Sequence, residues 1–256
     1  MILDSFALHG KVALVTGTSR GLGRGAALAL AEAGADVALL DRGDSTDTAS
    51  QIEALGRRVH PMRCDFASAS ASQGELAAAV DEVVSTLGQL DILVNNAGTI
   101  RRAPAVDYTA EDWNEVLAVN LDAVFHLSQA AGRHMLARGT GRIINVASML
   151  TFQGGIFVPA YAASKHAVAG LTKALANEWA AGGVTVNAIA PGYMATDNTQ
   201  ALRDDVDRER SIVARIPAGR WGTPGDLQGA FVFLASDAAA YVTGTILPVD
   251  GGWLVR

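Results

Sequence analysis

Residues 16–23 read TGTSRGLG, with glycines at Gly17, Gly21 and Gly23 between a predicted strand and a predicted helix. Glycine has no Cβ and tolerates positive φ angles, so the chain can turn sharply here and lie close to a ligand. The helix that follows presents free N–H groups and a positive dipole end to an anion. We therefore predict a loop that binds the pyrophosphate of a dinucleotide, with Ser19, Arg20 and Leu22 beside the glycines.

Short β-branched segments alternate with Ala-rich helical segments on both sides of this loop. The pattern predicts strands at 11–16, 36–41, 58–65, 90–95, 142–148, 185–190 and 244–249. It predicts helices at 21–33, 75–87, 111–137, 160–181 and 225–235. Such alternation is typical of an α/β, Rossmann-like, doubly wound parallel sheet with helices on both faces. We expect one domain over 1–256, in which the irregular segment 193–220 forms a helical lid or substrate loop.

The composition narrows the class of protein. Half of the 256 residues are hydrophobic, 18% are charged, and the formal net charge is −6. This balance argues against nucleic acid or an anionic membrane as a partner. No run of about 20 apolar residues predicts a transmembrane helix, and residues 1–10 do not resemble a signal peptide. Cys64 is the only cysteine, so no intrachain disulfide can form, and we expect a cytoplasmic protein without a metal site.

The end of the second predicted strand carries opposing signals about the cofactor. Asp41 stands about twenty residues after the glycine loop, where a carboxylate accepts hydrogen bonds from ribose hydroxyls and repels a 2′-phosphate. Arg20 and Arg42 flank the same space and are able to pair with a 2′-phosphate. We give Asp41 the greater weight because an uncompensated carboxylate facing a phosphate is costly. NAD is therefore favoured, and NADP remains the alternative.

Tyr161 and Lys165 stand four residues apart in a predicted helix, so both side chains lie on one face. A free tyrosine titrates near pH ~10, and a nearby ammonium lowers its pKa by favouring the phenolate. Tyr161 can then exchange a proton with a substrate oxygen. Ser148 ends a predicted strand at the edge where ligands bind in open α/β sheets. Asn120 lies in an apolar stretch of the long predicted helix, where a buried amide needs partners.

Together these motifs resemble those of the short-chain dehydrogenase/reductase family over residues 8–253. The resemblance rests on TGTSRGLG (16–23), Asp65, NNAG (95–98), Asn120, Ser148, YAASK (161–165), PG (191–192) and Thr196. It implies a homotetramer and a catalytic tetrad of Asn120, Ser148, Tyr161 and Lys165, in which Asn120 anchors a water. It also implies cofactor contacts from Lys165, Tyr161, Asp65, Phe66, Asn95, Ala97, Gly98, Pro191, Gly192, Met194 and Thr196.

Further stretches resemble the members of this family that act on sugar acids. They are ASMLTFQGG (147–155), APGYMATDNT (190–199), RIPAGRWGTP (215–224), VDGGW (249–253) and the pair Arg101-Arg102. Arg101 or Arg102 can bind a carboxylate in bidentate fashion. The pair can equally be a solvated or inter-subunit feature. Gln153 and Asn198 are candidate ligands for hydroxyl groups, beside Ser148.

Three hypotheses follow. The first is reversible oxidation of a secondary alcohol on a sugar acid, an aldonate or a 2-keto-3-deoxy-aldonate, with Tyr161 as general acid and base. The second is a carbonyl reductase that uses NADPH, such as a 3-oxoacyl-carrier-protein reductase, which Arg20 and Arg42 motivate. The third is a non-catalytic dinucleotide sensor, against which the pairing of Tyr161 with Lys165 argues.

Overall fold

The computed structural model describes residues 1–67 and 73–256, apart from the side chain of Asn198. Seven parallel strands form one sheet in the order β3-β2-β1-β4-β5-β6-β7. The strands are β1 Val12–Thr16, β2 Asp36–Asp41, β3 Val59–Arg63, β4 Ile92–Asn95, β5 Gly141–Val146, β6 Val184–Pro191 and β7 Ile246–Val249. The strand order reverses between β1 and β4, and ligands of such sheets bind outside the carboxyl ends at that point.

Helices cover the sheet on both sides, as the sequence predicts. They are α1 Gly21–Glu32, α2 Thr46–Ala54, α3 Gln73–Leu87, α4 Ala110–Leu117, α5 Ala123–Arg138, α6 Pro159–Trp179, α7 Gln200–Asp204, α8 Val206–Arg215 and α9 Pro224–Ala235. Sequence analysis did not find α2, whose nine residues TDTASQIEA carry a single large apolar side chain, Ile52. So short a polar segment has no clear amphipathic period.

Alternation along the central strand separates the two faces of the core. Ala13 and Val15 of β1 pack in one buried cluster with side chains of α1 and α9, such as Phe231. Leu14 packs in a second cluster, which includes side chains of α3, α5 and α6. Strands covered on both faces read as continuous apolar segments, which is the pattern that predicted this architecture. The doubly wound fold is confirmed.

The helix predicted over 111–137 forms, but it is not a regular α-helix throughout. A π-helical turn, Ala118–Asp122, separates α4 from α5. Asn120 lies in this turn and is fully buried. A π turn inserts one residue into the helical repeat and is frequent at functional sites. The π-helical turn therefore displaces Asn120 from the position that a regular α-helix would give it.

Segment 193–220 is largely helical. A short 3-10 helix, Asp197–Thr199, leads into α7 and α8, and the chain then returns to the sheet through α9. A bridge pairs Met194 with Gly222, so the two ends of the segment meet. In the described part of the chain, no helix is long and apolar enough to cross a membrane.

Candidate active site

The glycine loop has room for backbone only. Gly17 adopts a φ of +72°, which L side chains rarely adopt. A Cβ on Gly23 would stand 2.0 Å from the carbonyl oxygen of Gly17. Loop and helix therefore approach each other too closely for any side chain. These two positions leave the N-terminus of α1 free to receive a phosphate, so this part of the chain fits a dinucleotide.

Asn96 holds the glycine loop in place, and sequence analysis did not single it out. Its Nδ2 donates to the carbonyl oxygens of Thr16, at 2.8 Å, and Gly17, at 3.2 Å. The Thr16 hydroxyl in turn accepts the N–H groups of Asn96 and Ala97, both at 2.9 Å. The second asparagine of the NNAG motif thus fastens β4 to the loop. Only its position beside the predicted edge of the sheet could have indicated this.

The first asparagine of the motif does not share this environment. The side chain of Asn95 is buried, and its Nδ2 donates to Ser128 Oγ at 3.0 Å and to Asn145 Oδ1 at 2.9 Å. Asn145 continues the chain of hydrogen bonds to Thr172 on α6. The side chain of Asn95 is therefore bonded within the core. Its amide ties β4 to β5 and α5 inside the core.

Asp41 ends β2 beside the glycine loop and is built into it. Its Oδ2 accepts the N–H of Ser19 at 2.7 Å, and its Oδ1 accepts the N–H of Gly43 at 2.8 Å. The residue is only 7% exposed. Two backbone N–H groups hold the carboxylate there, so its orientation is a fixed feature of the loop.

The other residues expected on the adenosine side have diverse surroundings. Arg20 is exposed, and its guanidinium lies 3.3 Å from the carboxylate of Asp197, at the start of the 193–220 segment. Leu22 packs against the core, and Phe66 is buried in it. Asp65 is exposed and accepts the N–H of Ala67 at 3.1 Å. The large apolar side chains therefore contribute to packing, and the polar groups remain at the surface.

Tyr161 and Ser148 meet at the carboxyl edge of the sheet. Ser148 lies two residues beyond β5, and its Oγ accepts the N–H of Leu150 at 3.1 Å. Tyr161, in the first turn of α6, lies close enough to Ser148 for a hydrogen bond from the serine to lower the pKa of the phenol. Because Ser148 Oγ already accepts a backbone N–H, its own proton is available to Tyr161. The serine can therefore stabilise a phenolate or a substrate oxygen at the same place.

Lys165 lies beneath Tyr161. Its Nζ stands 5.7 Å from the centroid of the Tyr161 ring and donates to the carbonyl oxygen of Val146 at 2.6 Å. The side chain is 4% exposed, and this burial lowers the pKa of Lys165 from 10.5 to about 8. At neutral pH Lys165 is still an ammonium. It can lose its proton just above that range.

Burial raises the pKa of Tyr161 above its usual value, because it disfavours the phenolate. The hydrogen bond with Ser148 and the positive charge of Arg102 oppose this effect and lower the pKa. The chain thus supplies two groups that favour the phenolate.

Asn120 connects the loop after β4 to the helix that carries Tyr161. Its Oδ1 accepts the N–H of Thr99 at 2.8 Å, and its Nδ2 donates to the Thr99 carbonyl oxygen at 3.0 Å. The same Nδ2 lies 3.2 Å from Ser164 Oγ, which donates to the carbonyl oxygen of Tyr161. A Cβ on Gly98 would lie 3.4 Å from Asn120 Oδ1. The four residues of the predicted tetrad are therefore brought to one region.

The residues expected to face the nicotinamide follow β6. Pro191 ends the strand, and a Cβ on Gly192 would stand 2.6 Å from the Cα of Asp250. Met194 is buried, whereas Thr196 is the N-cap residue of the 3-10 helix. Just after β6, the backbone at Gly192 therefore packs closely against the backbone at Asp250.

The structure separates the two arginines that sequence analysis left as alternatives. Arg101 makes a bidentate ion pair with Glu115, at 2.6 Å and 2.9 Å. Arg102 is exposed and has no ion pair in the described part of the chain, and its charge acts on Tyr161. Gln153 Oε1 accepts the indole N–H of Trp253 at 3.0 Å. The side chain of Asn198 lies outside the described residues.

A dinucleotide-type glycine loop and a hydrogen-bonded Tyr-Ser pair above a buried lysine share one sheet edge. Fold and site together define a dinucleotide-dependent oxidoreductase. A family model described as Enoyl-(Acyl carrier protein) reductase matches residues 17–254. The chain belongs to the short-chain dehydrogenase/reductase family, which confirms the resemblance of its motifs.

Several relatives match over their full length. The 2-dehydro-3-deoxy-D-gluconate 5-dehydrogenase of Pseudoalteromonas atlantica is 54% identical and covers 100% of both chains. The protein of the same name from Bacillus subtilis is 54% identical over 99% of this chain and 98% of its own. The structure of a gluconate 5-dehydrogenase from Burkholderia cenocepacia, in complex with NADP and tartrate, matches with a TM-score of 0.94. It is 41% identical and covers 100% of both chains.

Proposed function

We propose that this protein reversibly oxidises a secondary alcohol of a sugar acid, an aldonate or a 2-keto-3-deoxy-aldonate, with a nicotinamide dinucleotide. The observation that carries the proposal is the Tyr161–Ser148 pair with the charge of Arg102 acting on it. A cation beside a proton-transfer pair suits a substrate that has both a hydroxyl and a carboxylate. The names of the relatives, which are sugar-acid dehydrogenases, support this substrate class.

When bound, the nicotinamide supplies the acceptor for the hydride of the carbinol carbon. Tyr161 removes the proton of the substrate hydroxyl, and Ser148 donates a hydrogen bond to the same oxygen. The ammonium of Lys165 favours the phenolate form of Tyr161. Asn120 fixes the first turn of α6 through Ser164, and we propose that it also holds the water of a proton relay. In the reverse direction Tyr161 returns the proton to the carbonyl oxygen.

The cofactor-binding residues extend along the sheet edge from the glycine loop to the end of β6. We propose that they are Gly17, Ser19, Arg20, Gly21, Leu22, Gly23, Asp41, Asp65, Phe66, Asn95, Ala97, Gly98, Tyr161, Lys165, Pro191, Gly192, Met194 and Thr196. The absence of space for side chains at Gly17 and Gly23 supports the loop contacts. Asn96 joins them as a residue that positions the loop.

We expect kcat/KM to be higher with NAD than with NADP, because the Asp41 carboxylate is fixed where a 2′-phosphate would approach. Asp41→Asn retains an oxygen for one backbone N–H and removes the charge. It should therefore shift the NADP-to-NAD ratio of kcat/KM upwards by about tenfold, the equivalent of ~1.4 kcal/mol. Asp36→Asn, at the opposite end of β2, is the matched control and should leave the ratio unchanged. An unchanged ratio in Asp41→Asn would contradict the role of its charge.

Arg102 is the proposed ligand of the substrate carboxylate, since Arg101 is committed to Glu115. Arg102→Gln should raise KM for a sugar acid by about 10- to 100-fold, as expected for a charge-assisted contact. It should also move the rise of kcat/KM with pH to more alkaline values, because the charge of Arg102 lowers the pKa of Tyr161. Arg101→Gln should leave the pH profile in place. Equal pH profiles for the two variants would refute the assignment.

Gln153 and Asn198 remain the proposed ligands of substrate hydroxyls, and segment 193–220 the proposed lid. The ion pair of Arg20 with Asp197 supports a lid, because it joins this segment to the glycine loop. We also propose a cytoplasmic homotetramer. Trp113 on α4 and Phe125 on α5, each 38% exposed, offer apolar surface for subunit contacts. Light scattering of the purified protein measures the subunit number.

The deciding experiment is a spectrophotometric screen that follows reduced nicotinamide. It pairs NAD and NADP with aldonic acids, 2-keto-3-deoxy-aldonic acids, neutral polyols and, in the reductive direction, 3-oxoacyl thioesters. Turnover of the sugar acids alone is the expected result. Preference for acyl thioesters would establish the carbonyl reductase instead. Cofactor binding without any turnover would establish a sensor.

A further inference from the structure

The turn after β7 is joined to the turn that follows Ser148. Trp253 follows β7 and is 6% exposed. Its indole Nε1 donates to Oε1 of Gln153 at 3.0 Å. Gln153 stands five residues after Ser148 in the same turn, where its backbone N–H is bonded to the carbonyl oxygen of Met149 at 3.2 Å. One hydrogen bond therefore joins residues 100 positions apart in the chain.

The indole of Trp253 is held from several directions. The ring of Tyr193, just after β6, lies 4.6 Å from it between centroids. The guanidinium carbon of Arg215, in α8, lies 3.9 Å from its centroid. The Asp250 carboxylate fixes the turn by accepting the N–H groups of Gly252 and Leu254 at 2.8 Å and 2.9 Å. Aromatic and cation–π contacts of this kind restrict the ring to one orientation.

An indole N–H is a donor only, whereas a glutamine amide has one accepting end and one donating end. Trp253 therefore attracts the oxygen of Gln153 and excludes its NH₂ group from that side. In the described part of the chain, Nε2 of Gln153 makes no hydrogen bond. The amide is thus available to a ligand at its donating end alone.

We propose that Trp253 is a positioning residue that sets the polarity of the Gln153 amide. Gln153 then offers N–H donors, and never its carbonyl, to an accepting oxygen of the sugar acid. The inference rests on the proposed function and deepens it by naming a specificity determinant. A donor at this place favours substrates that present a keto or hydroxyl oxygen to it.

Trp221 provides a matched control. It also packs on Tyr193, edge to face at 5.5 Å, but its buried Nε1 has no hydrogen-bond partner in the described part of the chain. Trp253→Phe and Trp221→Phe each exchange an indole for a phenyl ring beside the same tyrosine. Only the first removes an indole hydrogen bond.

We expect Trp253→Phe to raise KM for the sugar acid by about 3- to 10-fold, the range for one lost hydrogen bond. Its kcat and its KM for the cofactor should stay within about 2-fold of the wild-type values. Trp221→Phe should keep kcat and both KM values within about 2-fold of the wild-type values. In a Gln153→Ala background, Trp253→Phe should add nothing further, because coupled residues are not additive. Equal effects of the two phenylalanine variants, or additivity with Gln153→Ala, would reduce Trp253 to a packing residue.

Thermal denaturation reports whether each variant folds. If Trp253→Phe does not, Gln153→Ala and Gln153→Glu carry the test, since both remove the donor. Each should raise KM for the sugar acid by at least 3-fold, and an unchanged KM overturns the proposal. A wild-type protein that turns over no sugar acid refutes the proposed function itself, and this inference falls with it. If the wild type turns over sugar acids but the variants do not show the expected rise in KM, only the positioning role is refuted.

Discussion

Tyr161→Phe is expected to lower kcat for sugar-acid oxidation by about 10²- to 10⁴-fold, the range for loss of a positioned general acid–base group. The substitution removes one oxygen and keeps the ring that packs above Lys165. Cofactor affinity, measured by fluorescence titration, should fall far less than kcat, because Tyr161 is only one of the proposed cofactor contacts and the glycine loop is untouched.

Tyr241→Phe is the matched control. Tyr241 is fully exposed to solvent, whereas Tyr161 has the lysine and the serine beside it. It should retain wild-type kcat and KM. A Tyr161→Phe protein that turned over at the wild-type rate would exclude Tyr161 as the proton-transfer group. A Tyr161→Phe protein that lost cofactor binding as well would show a wider structural effect instead.

Sequence patterns predicted most of the fold, because parallel strands and their helices carry strong local signals. The exceptions have physical reasons. The polar helix α2 has too few apolar residues to show a period. The π turn at Ala118–Asp122 carries Asn120, whose partners in the loop after β4 and in α6 lie far from it in the chain. Local propensity contains no information about such partners.

The same limit applies to the site. Spacing placed Tyr161 and Lys165 on one helical face, and the structure brings Ser148 to the tyrosine. Spacing could not distinguish Arg101 from Arg102, because the difference depends on Glu115, which pairs with only one of them. Nor could it show that Asn96 holds the glycine loop or that Trp253 meets Gln153. Each of these facts depends on a long-range hydrogen bond or ion pair.

Lys165 is expected to support activity at the expense of stability. Burial lowers its pKa from the usual 10.5 to about 8. Such a difference corresponds to a stability cost on the order of 3 kcal/mol while the lysine is charged. Lys165→Met removes the charge and fills similar space, but it leaves the Val146 carbonyl oxygen without this donor, a loss of about 1 kcal/mol. The cofactor-free variant should therefore unfold about 2–6 °C above wild type.

The pH dependence separates this explanation from better packing. A lysine with a lowered folded-state pKa destabilises the protein fully below pH 8, where both states are protonated. The unfolded state binds the extra proton between about pH 8 and 10.5, so wild-type stability from this group rises with pH over that window. The advantage of Lys165→Met should consequently shrink between pH 7 and pH 10. A packing effect would be independent of pH.

Lys165→Met should lower activity while it raises stability. Without the ammonium, the buried Tyr161 loses a group that favours its phenolate, and kcat should fall by at least about 10²-fold. Lys173→Met, at an exposed position two turns along the same helix, should alter neither the melting temperature nor kcat. Calorimetric melting of both variants, with kcat measured on the same preparations, tests the two halves together. A Lys165→Met protein less stable than wild type would show that the Val146 hydrogen bond outweighs the burial of the charge, because these two opposing contributions decide the sign.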